Sequence, residues 1–310
     1  MNLIDRVLSE PEFVSAPPML VDIGAAGGVP RAWSRIARHS VAVAFEPDAR
    51  KSASLTAKQR RFRRWVYVPA IVVPEAPPAG RATLHLTRSP LCSSTLQPRH
   101  DALQRWAFAP FFGVLERRGF PATTLEAALA SHGLPGVDWL KCDTQGTDLR
   151  LFRSLPELLR WRVLLAEFEP GLIDAYEGED TLPQVLEAMR SEPFRLAAFT
   201  IEGTPPAFNG GGSVWYRRLA PPVPAWANLR YYRDIEPEDT APDRRAHLLL
   251  WVFATLQGQP VFAHAAAAAG ERRFGGGVFG RMKLASRRQL RMAMLTRFPG
   301  RIVSRLFLHR

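Results

Sequence analysis

Acidic side chains and one lysine stand where the pattern of apolar residues puts the ends of strands. Lys141-Cys142-Asp143-Thr144-Gln145-Gly146-Thr147-Asp148 closes one apolar stretch, and Glu167-Phe168-Glu169 closes the next. In an open α/β sheet, ligands collect beyond the carboxyl ends of the strands, so these positions reach a reacting group. A hydroxyl is a poor nucleophile, and a carboxylate there can take its proton or hold it in line. Asp143 is the first candidate for base or holder, with Lys141 to orient it or to steady a developing alkoxide. Glu167 and Glu169 come next. Side chains repeat every two residues along a strand, so the two share a face and Asp143 and Glu167 are expected to converge on one pocket. The same pair would supply part of a magnesium site, because that cation takes oxygen ligands. A third ligand is not evident. The plainer alternative is that Asp143 caps the helix after it.

A second constellation lies upstream. Met19-Leu20-Val21-Asp22-Ile23 reads as an apolar strand and Gly24-Ala25-Ala26-Gly27-Gly28 as a glycine-rich turn. Val41-Ala42-Val43-Ala44-Phe45 reads as a second strand, ending in Glu46. Glycine lets the backbone approach a ligand closely. Glu46 follows Gly24 by 22 residues, where a carboxylate accepts hydrogen bonds from both ribose hydroxyls. A ligand with an adenosine half is expected. The turn does not have the Gly-x-Gly-x-x-Gly spacing, which counts against a nicotinamide or flavin. Between the constellations runs a hydroxyl-rich loop, Ser89-Pro90-Leu91-Cys92-Ser93-Ser94-Thr95, whose Ser93 and Ser94 are candidate contacts. His100 follows it and is a further candidate base, expected to overhang the pocket.

Taken in order, Val21 to Gly28, Ala44 to Asp48, Cys92 to Leu96, Lys141 to Asp148 and Glu167-Phe168-Glu169 resemble the FkbM-family methyltransferases. The resemblance covers about residues 18 to 218. It implies a class I methyltransferase fold, a Rossmann-like doubly wound sheet, with S-adenosylmethionine as cofactor. Gly24, Ala25 and Gly28 would then form the cofactor loop, Glu46 the ribose contact, and Asp22 a support for the methionine end. It also implies O-methyl transfer to a hydroxyl of a saccharide, glycoconjugate or secondary metabolite. Two residues depart from the family pattern: Ala26 replaces the usual asparagine, and Gln145 stands where many members have glutamate. The second takes proton transfer away from Gln145. The competing readings are an NAD-type oxidoreductase on a similar sheet and a non-catalytic, membrane-associated binding protein that retains the fold.

These residues need elements to hold them. The pattern predicts strands at 19–23, 41–45, 65–73, 81–87, 137–142 and 163–166, then near 194–200 and 213–218. Helices are expected at about 30–38, 48–58 and 123–132, from near 148, and at 181–190. Alternating strands and helices argue for a parallel sheet. The division expected is a lead-in at 1–18, the methyltransferase domain at 19–220, and a linker with a helical basic extension at 221–310. That extension would hold helices at 243–257, 260–272 and 281–296. The helices of 243–272 are apolar enough to pack on the main domain or to form a homodimer.

At 310 residues the chain can bury a full core. Its two cysteines make neither a disulfide framework nor a zinc site. Nothing in the first residues resembles a signal peptide, and no apolar run is long enough to span a bilayer. A cytoplasmic location is expected. The net charge is +12, but residues 271–310 hold eleven Lys and Arg against one acid, a net of +10, which leaves +2 for the first 270 residues. Charge confined to the end, with no accompanying motif, argues against nucleic acid. A basic amphipathic helix at 281–296 has two equal readings. It lies on the inner face of an anionic membrane, with Leu284, Leu295 and the methionines forming its apolar side, or it is a solvated helix packed onto the catalytic body.

Overall fold

A computed structural model describes residues 2–28, 30–48, 50, 61–207, 219–235 and 243–307, with side chains as far as residue 294. They divide into two compact units, Pro18–Arg233 and Met1–Pro17 with Asp234–Arg310.

The first unit is a mixed α/β structure built on a seven-stranded, mostly parallel sheet. Its strands are β1 (Met19–Ile23), β2 (Val41–Phe45), β3 (Arg64–Val68), β7 (Trp139–Cys142), β8 (Leu165–Phe168), β9 (Phe194–Thr204) and β10 (Val223–Arg233), in the order β3-β2-β1-β7-β8-β10-β9. Neighbours from β3 to β8 run parallel, whereas β10 is antiparallel to both β8 and β9. Every residue of β1 and β2 is buried, as expected where both faces of a parallel sheet are covered.

One face carries Val21, Ile23, Val43, Phe45, Leu140, Cys142, Ala166 and Phe168 against the helices Leu125–Ser131, Asp148–Arg153 and Leu182–Arg190. Phe152 anchors that layer, edge-on to Phe168 at 5.5 Å and to Phe194 at 5.8 Å. On the other face Trp33 meets Trp139 edge-on at 5.8 Å. Between β3 and the helix Leu125–Ser131 the chain builds a second sheet. Its strands are β4 (Ile71–Val72), β5 (Arg81–Thr87) and β6 (Val114–Thr123), ordered β4-β6-β5.

Several sequence expectations change. The helix expected at 30–38 is two 3-10 turns, Trp33–Arg35 and Ala37–His39. The strand expected at 65–73 splits between the two sheets. Strand β6 was not expected: most of it is exposed, and it carries Glu116, Arg117, Arg118 and Pro121, so no apolar pattern marks it. The strand expected at 213–218, and residues 49 and 51–58 of the helix expected at 48–58, lie outside the described residues. The boundary expected at 220 falls instead after Arg233, because β10 belongs to the sheet.

In the second unit the lead-in is not a separate piece. Arg244, at the start of the helix Arg244–Leu256, pairs with Glu10 at 2.9 Å and with Glu12. Leu248 to Ala254 are buried. Gly270, in the helix Pro260–Phe274, lets the last helix pack closely, since a Cβ there would lie 2.3 Å from the Phe279 ring. The last helix, Gly277–Phe307, buries Val278, Phe279 and Met282, while Leu284, Met292 and Met294 are exposed among the arginines. Of the methionines expected on the exposed apolar side, Met282 is instead buried, and Leu295 lies beyond the described side chains. Among the described residues no helix is long and apolar enough to cross a membrane.

The Phe152 contacts give a direct test of the core. Phe152→Ala removes a ring packed between β8 and β9 and is expected to lower unfolding free energy by about 3–5 kcal/mol in urea titration. A loss under about 1 kcal/mol would mean the aromatic layer is not an anchor.

Candidate functional site

The carboxyl ends of β1, β2, β7 and β8 open into a cavity of about 480 Å³. Gly24 begins the turn after β1 with φ +83°, and a Cβ on it would lie 1.9 Å from the Asp143 carbonyl oxygen. No other residue fits there. The Asp143 N–H donates to the Ile23 carbonyl at 2.9 Å, so the turns after β1 and β7 are fastened to each other. Gly24, Ala26, Phe45, Glu46 and Asp143 all line the cavity.

The remaining expected cofactor residues are placed differently. Asp22 is buried beneath the turn, 3.1 Å from Lys141 Nζ. Ala25 clusters with Ala44, and Trp65 and Tyr67 pack against the pair. Gly28, at φ +81°, has open space where a Cβ would sit and is not part of the cavity wall. Glu46 accepts the Asp48 N–H at 2.8 Å. Asp48 in turn holds Arg50 Nε at 3.0 and 2.8 Å, and Arg50 reaches the Thr87 carbonyl at 3.1 Å. The end of β2 is thereby tied to the end of β5, a link that no motif announced.

Asp143 does not cap the following helix, whose N-cap is Thr147. Its carboxylate instead gathers donors: Gln145 Nε2 at 2.9 Å, Lys141 Nζ at 3.4 Å, and the carboxyl of Glu169. Lys141 thus bridges Asp22 and Asp143. Burial pulls the Lys141 ammonium down, but Asp22 and Asp143 more than offset this and its pKa is raised. Burial also raises Asp22, against the pull of Lys141.

The second carboxylate of the site is Glu169, not Glu167. Glu167 accepts from Trp139 Nε1 at 3.0 Å and Arg230 Nε at 3.2 Å and lies outside the cavity wall, whereas Glu169 lines it. The expected convergence of Asp143 with Glu167 therefore does not form. Strand β8 ends at Phe168, and the buried Asp148 catches the Glu169 N–H at 2.8 Å, so period-two alternation stops one residue too early for the two glutamates to share a face. Asp148 also accepts from Thr144 N at 2.9 Å and Thr144 Oγ1 at 2.6 Å, which latches the turn after β7 to the end of β8. Burial, then the charges of Asp143 and Asp148 and the hydrogen bond with Asp143, push the Glu169 carboxyl up to about 9.

Gln145 takes φ +57°, a left-handed conformation that costs a non-glycine residue about 1–3 kcal/mol. It is held from two sides. Ser94 Oγ donates to its carbonyl at 2.8 Å, and the Tyr176 hydroxyl lies 3.1 Å from its Oε1 and 2.8 Å from the Cys92 carbonyl. Burial pushes the Cys92 thiol up to about 11, so it stays neutral against the cavity. Ser93 lines the cavity; the exposed His100 opens the short helix His100–Leu103 and does not. Among the described residues no three His, Cys, Asp or Glu side chains gather as metal ligands. Comparison with protein-family models, curated proteins and solved structures returns no match.

The Glu169 shift makes a pH prediction. Between its ordinary value of 4.5 and about 9, the folded protein keeps a proton that the unfolded chain has released. Its contribution to stability is therefore full below 4.5 and is lost as the pH rises through that window. Glu169→Gln keeps a donor for Asp143 and cannot ionise. Its denaturation midpoint is expected to fall less between pH 6 and 9.5 than that of the parent protein; identical slopes would rule out a proton on Glu169.

Proposed function

We propose that the Pro18–Arg233 unit is an S-adenosylmethionine-dependent O-methyltransferase acting on a hydroxyl of a saccharide, glycoconjugate or secondary metabolite. The observation that carries this reading is the meeting of Gly24, Glu46 and Asp143 at one cavity. The sheet order adds support. The dinucleotide-binding order ends in a sixth parallel strand, whereas here antiparallel β10 lies between β8 and β9. That departure counts against the NAD-type reading.

S-adenosylmethionine, when bound, supplies a methyl group on a sulfonium. The chain's own residues then have separate tasks. Gly24 lets the backbone come close, Glu46 is placed to accept from ribose hydroxyls, and the apolar wall of Phe45, Ile71, Val72 and Leu84 keeps water out. In-line displacement depends on alignment, and Asp143 is the acceptor group to which an incoming hydroxyl would turn. Lys141 and the Gln145 amide fix its orientation. Asp22 and Lys141 act through Asp143, from below.

Calorimetric titration with S-adenosylmethionine, S-adenosylhomocysteine and NAD separates the readings, and preference for NAD overturns this one. Glu46→Ala is expected to weaken S-adenosylhomocysteine binding by about 1–3 kcal/mol. Asp143→Asn is expected to cut turnover by about 10²–10⁴ with binding of S-adenosylhomocysteine unchanged. If Asp143→Asn retains full turnover, the carboxylate has no part in handling the hydroxyl.

For the last helix we propose contact with an anionic membrane surface, supported by exposed Leu284, Met292 and Met294 beside Arg287, Arg288 and Arg291. Each such charge near the surface adds on the order of 1 kcal/mol. Co-sedimentation with vesicles containing phosphatidylserine is the check. Binding that is equal on phosphatidylcholine alone, or absent on both, rejects the proposal.

A further inference from the structure

The cavity wall is acidic and aromatic at once. Glu46, Asp143, Glu169 and Glu179 contribute carboxyl groups, and among the described residues no Lys, Arg or His lines it. Beside Glu179, a phosphate or carboxylate on a ligand would find no Lys, Arg or His among the described wall residues to pair with.

Glu179 is the carboxyl group that the proposed transfer leaves unused. Only 7% of the residue is exposed. Its Oε1 accepts the Ala175 N–H at 2.7 Å, and Oε2 has no hydrogen bond or ion pair among the described residues. Both oxygens lie over Gly171, where a Cβ would approach each to 2.9 Å, so the glycine makes their room. Burial pushes the carboxyl up to about 7; Asp174 and Asp180 add to the rise, while the Ala175 N–H and Arg99 oppose it. A buried carboxylate without a cation is costly, and the cost disappears when a cation arrives.

Four rings stand in the same wall. Trp226 lies 6.2 Å from Phe108, Phe108 5.0 Å from Phe112, and Phe112 5.6 Å from Tyr176, centroid to centroid. All four line the cavity with Glu179. Ring faces attract ammonium groups, most strongly where water is excluded. A buried carboxylate beside a chain of rings is the combination that selects an organic cation over a neutral isostere.

We propose that this end of the cavity recognises an ammonium group carried on an apolar ring or chain, so that the methyl acceptor is an amine-bearing molecule and not a phosphorylated or carboxylated one. Naming that ligand the acceptor rests on the methyltransferase reading; the ammonium site does not. S-adenosylmethionine itself carries an ammonium, so the two sources must be separated.

The test titrates cyclohexylamine, cyclohexanol and cyclohexanecarboxylate into the full chain, with and without saturating S-adenosylhomocysteine, by ligand-observed NMR. With S-adenosylhomocysteine bound, the amine is expected to bind about tenfold more tightly than the alcohol, and the carboxylate most weakly. Glu179→Gln should remove that preference and leave S-adenosylhomocysteine affinity intact. Phe108→Leu should lower amine affinity more than alcohol affinity. Equal binding of amine and alcohol to the unaltered protein overturns the proposal, whatever the variants do. A preference that vanishes once S-adenosylhomocysteine is bound assigns the cation site to the donor and overturns the acceptor assignment. An amine preference in a protein that does not bind S-adenosylhomocysteine sinks the methyltransferase reading and leaves the ammonium site standing.

Discussion

The carbonyl of Asp143 fills the space that a side chain at position 24 would need. Strands β1 and β7 are neighbours in the sheet, and their turns come together because residue 24 is a glycine. Much of the site hangs on this approach. With the Asp143 backbone fixed against Gly24, its carboxylate is presented to the cavity and the next residues must turn sharply away. Gln145 absorbs the turn in a left-handed conformation, kept there by Ser94 and Tyr176. Gly146, at φ +105°, continues the turn under the Glu179 side chain, where a Cβ would come within 2.8 Å. Asp148 then joins this turn to Glu169. One steric constraint is thereby passed along from β1 to β7 to β8.

The electrostatics follow the register of the sheet. Asp22 lies opposite Lys141, Lys141 opposite Glu167, and Glu167 opposite Arg230, so negative and positive side chains alternate across four strands on one face. Two ion pairs result, Asp22 with Lys141 and Glu167 with Arg230. Such pairs add little net stability, but losing one partner strands the other in a poorly solvated place. Their consequence for the site is directional. Lys141 is anchored from below by Asp22 and has a donor left for Asp143, whereas Glu167 is neutralised by Arg230 and withdrawn from the chemistry. Two glutamates two residues apart end in different roles because one lies within the ladder and the other beyond it.

The parts of this fold that the sequence made legible are those with strong periodicity. β1 and β2 match the expected 19–23 and 41–45, and β5 matches 81–87, because continuous or alternating apolar residues leave few other options. β10 was hidden in plain pattern: Ala225, Ala227, Leu229 and Tyr231 alternate inward, but Pro221, Pro222 and Pro224 beside them read as a linker. At the site, Gly24, Glu46 and Asp143 were legible as strand-end residues. Glu169 was blurred with Glu167 because the exact end of β8 is set by the Asp148 latch, which is a long-range hydrogen bond. Glu179, Tyr176 and the Arg50 link were invisible for the same reason. They are brought in by tertiary contacts from segments without a periodic signal.

That division has a consequence for how the cavity is encoded. The wall carrying Gly24, Phe45, Glu46 and Asp143 comes from the ends of central sheet strands, whose geometry is fixed by pairing on both sides. The wall carrying Phe108, Phe112, Tyr176 and Trp226 comes from the segment after β5, the loop after β8, and the part of β10 that lies beyond its pairing with β8. Substitutions of Phe108, Phe112 or Trp226 can reshape the pocket without moving the first group, because no sheet pairing of β1, β2 or β7 passes through them, whereas Tyr176 also holds Gln145. The two walls of the cavity are therefore separable in this architecture. The central strands fix one side of the cavity by their pairing, and the surrounding loops and hairpin set the shape of the other.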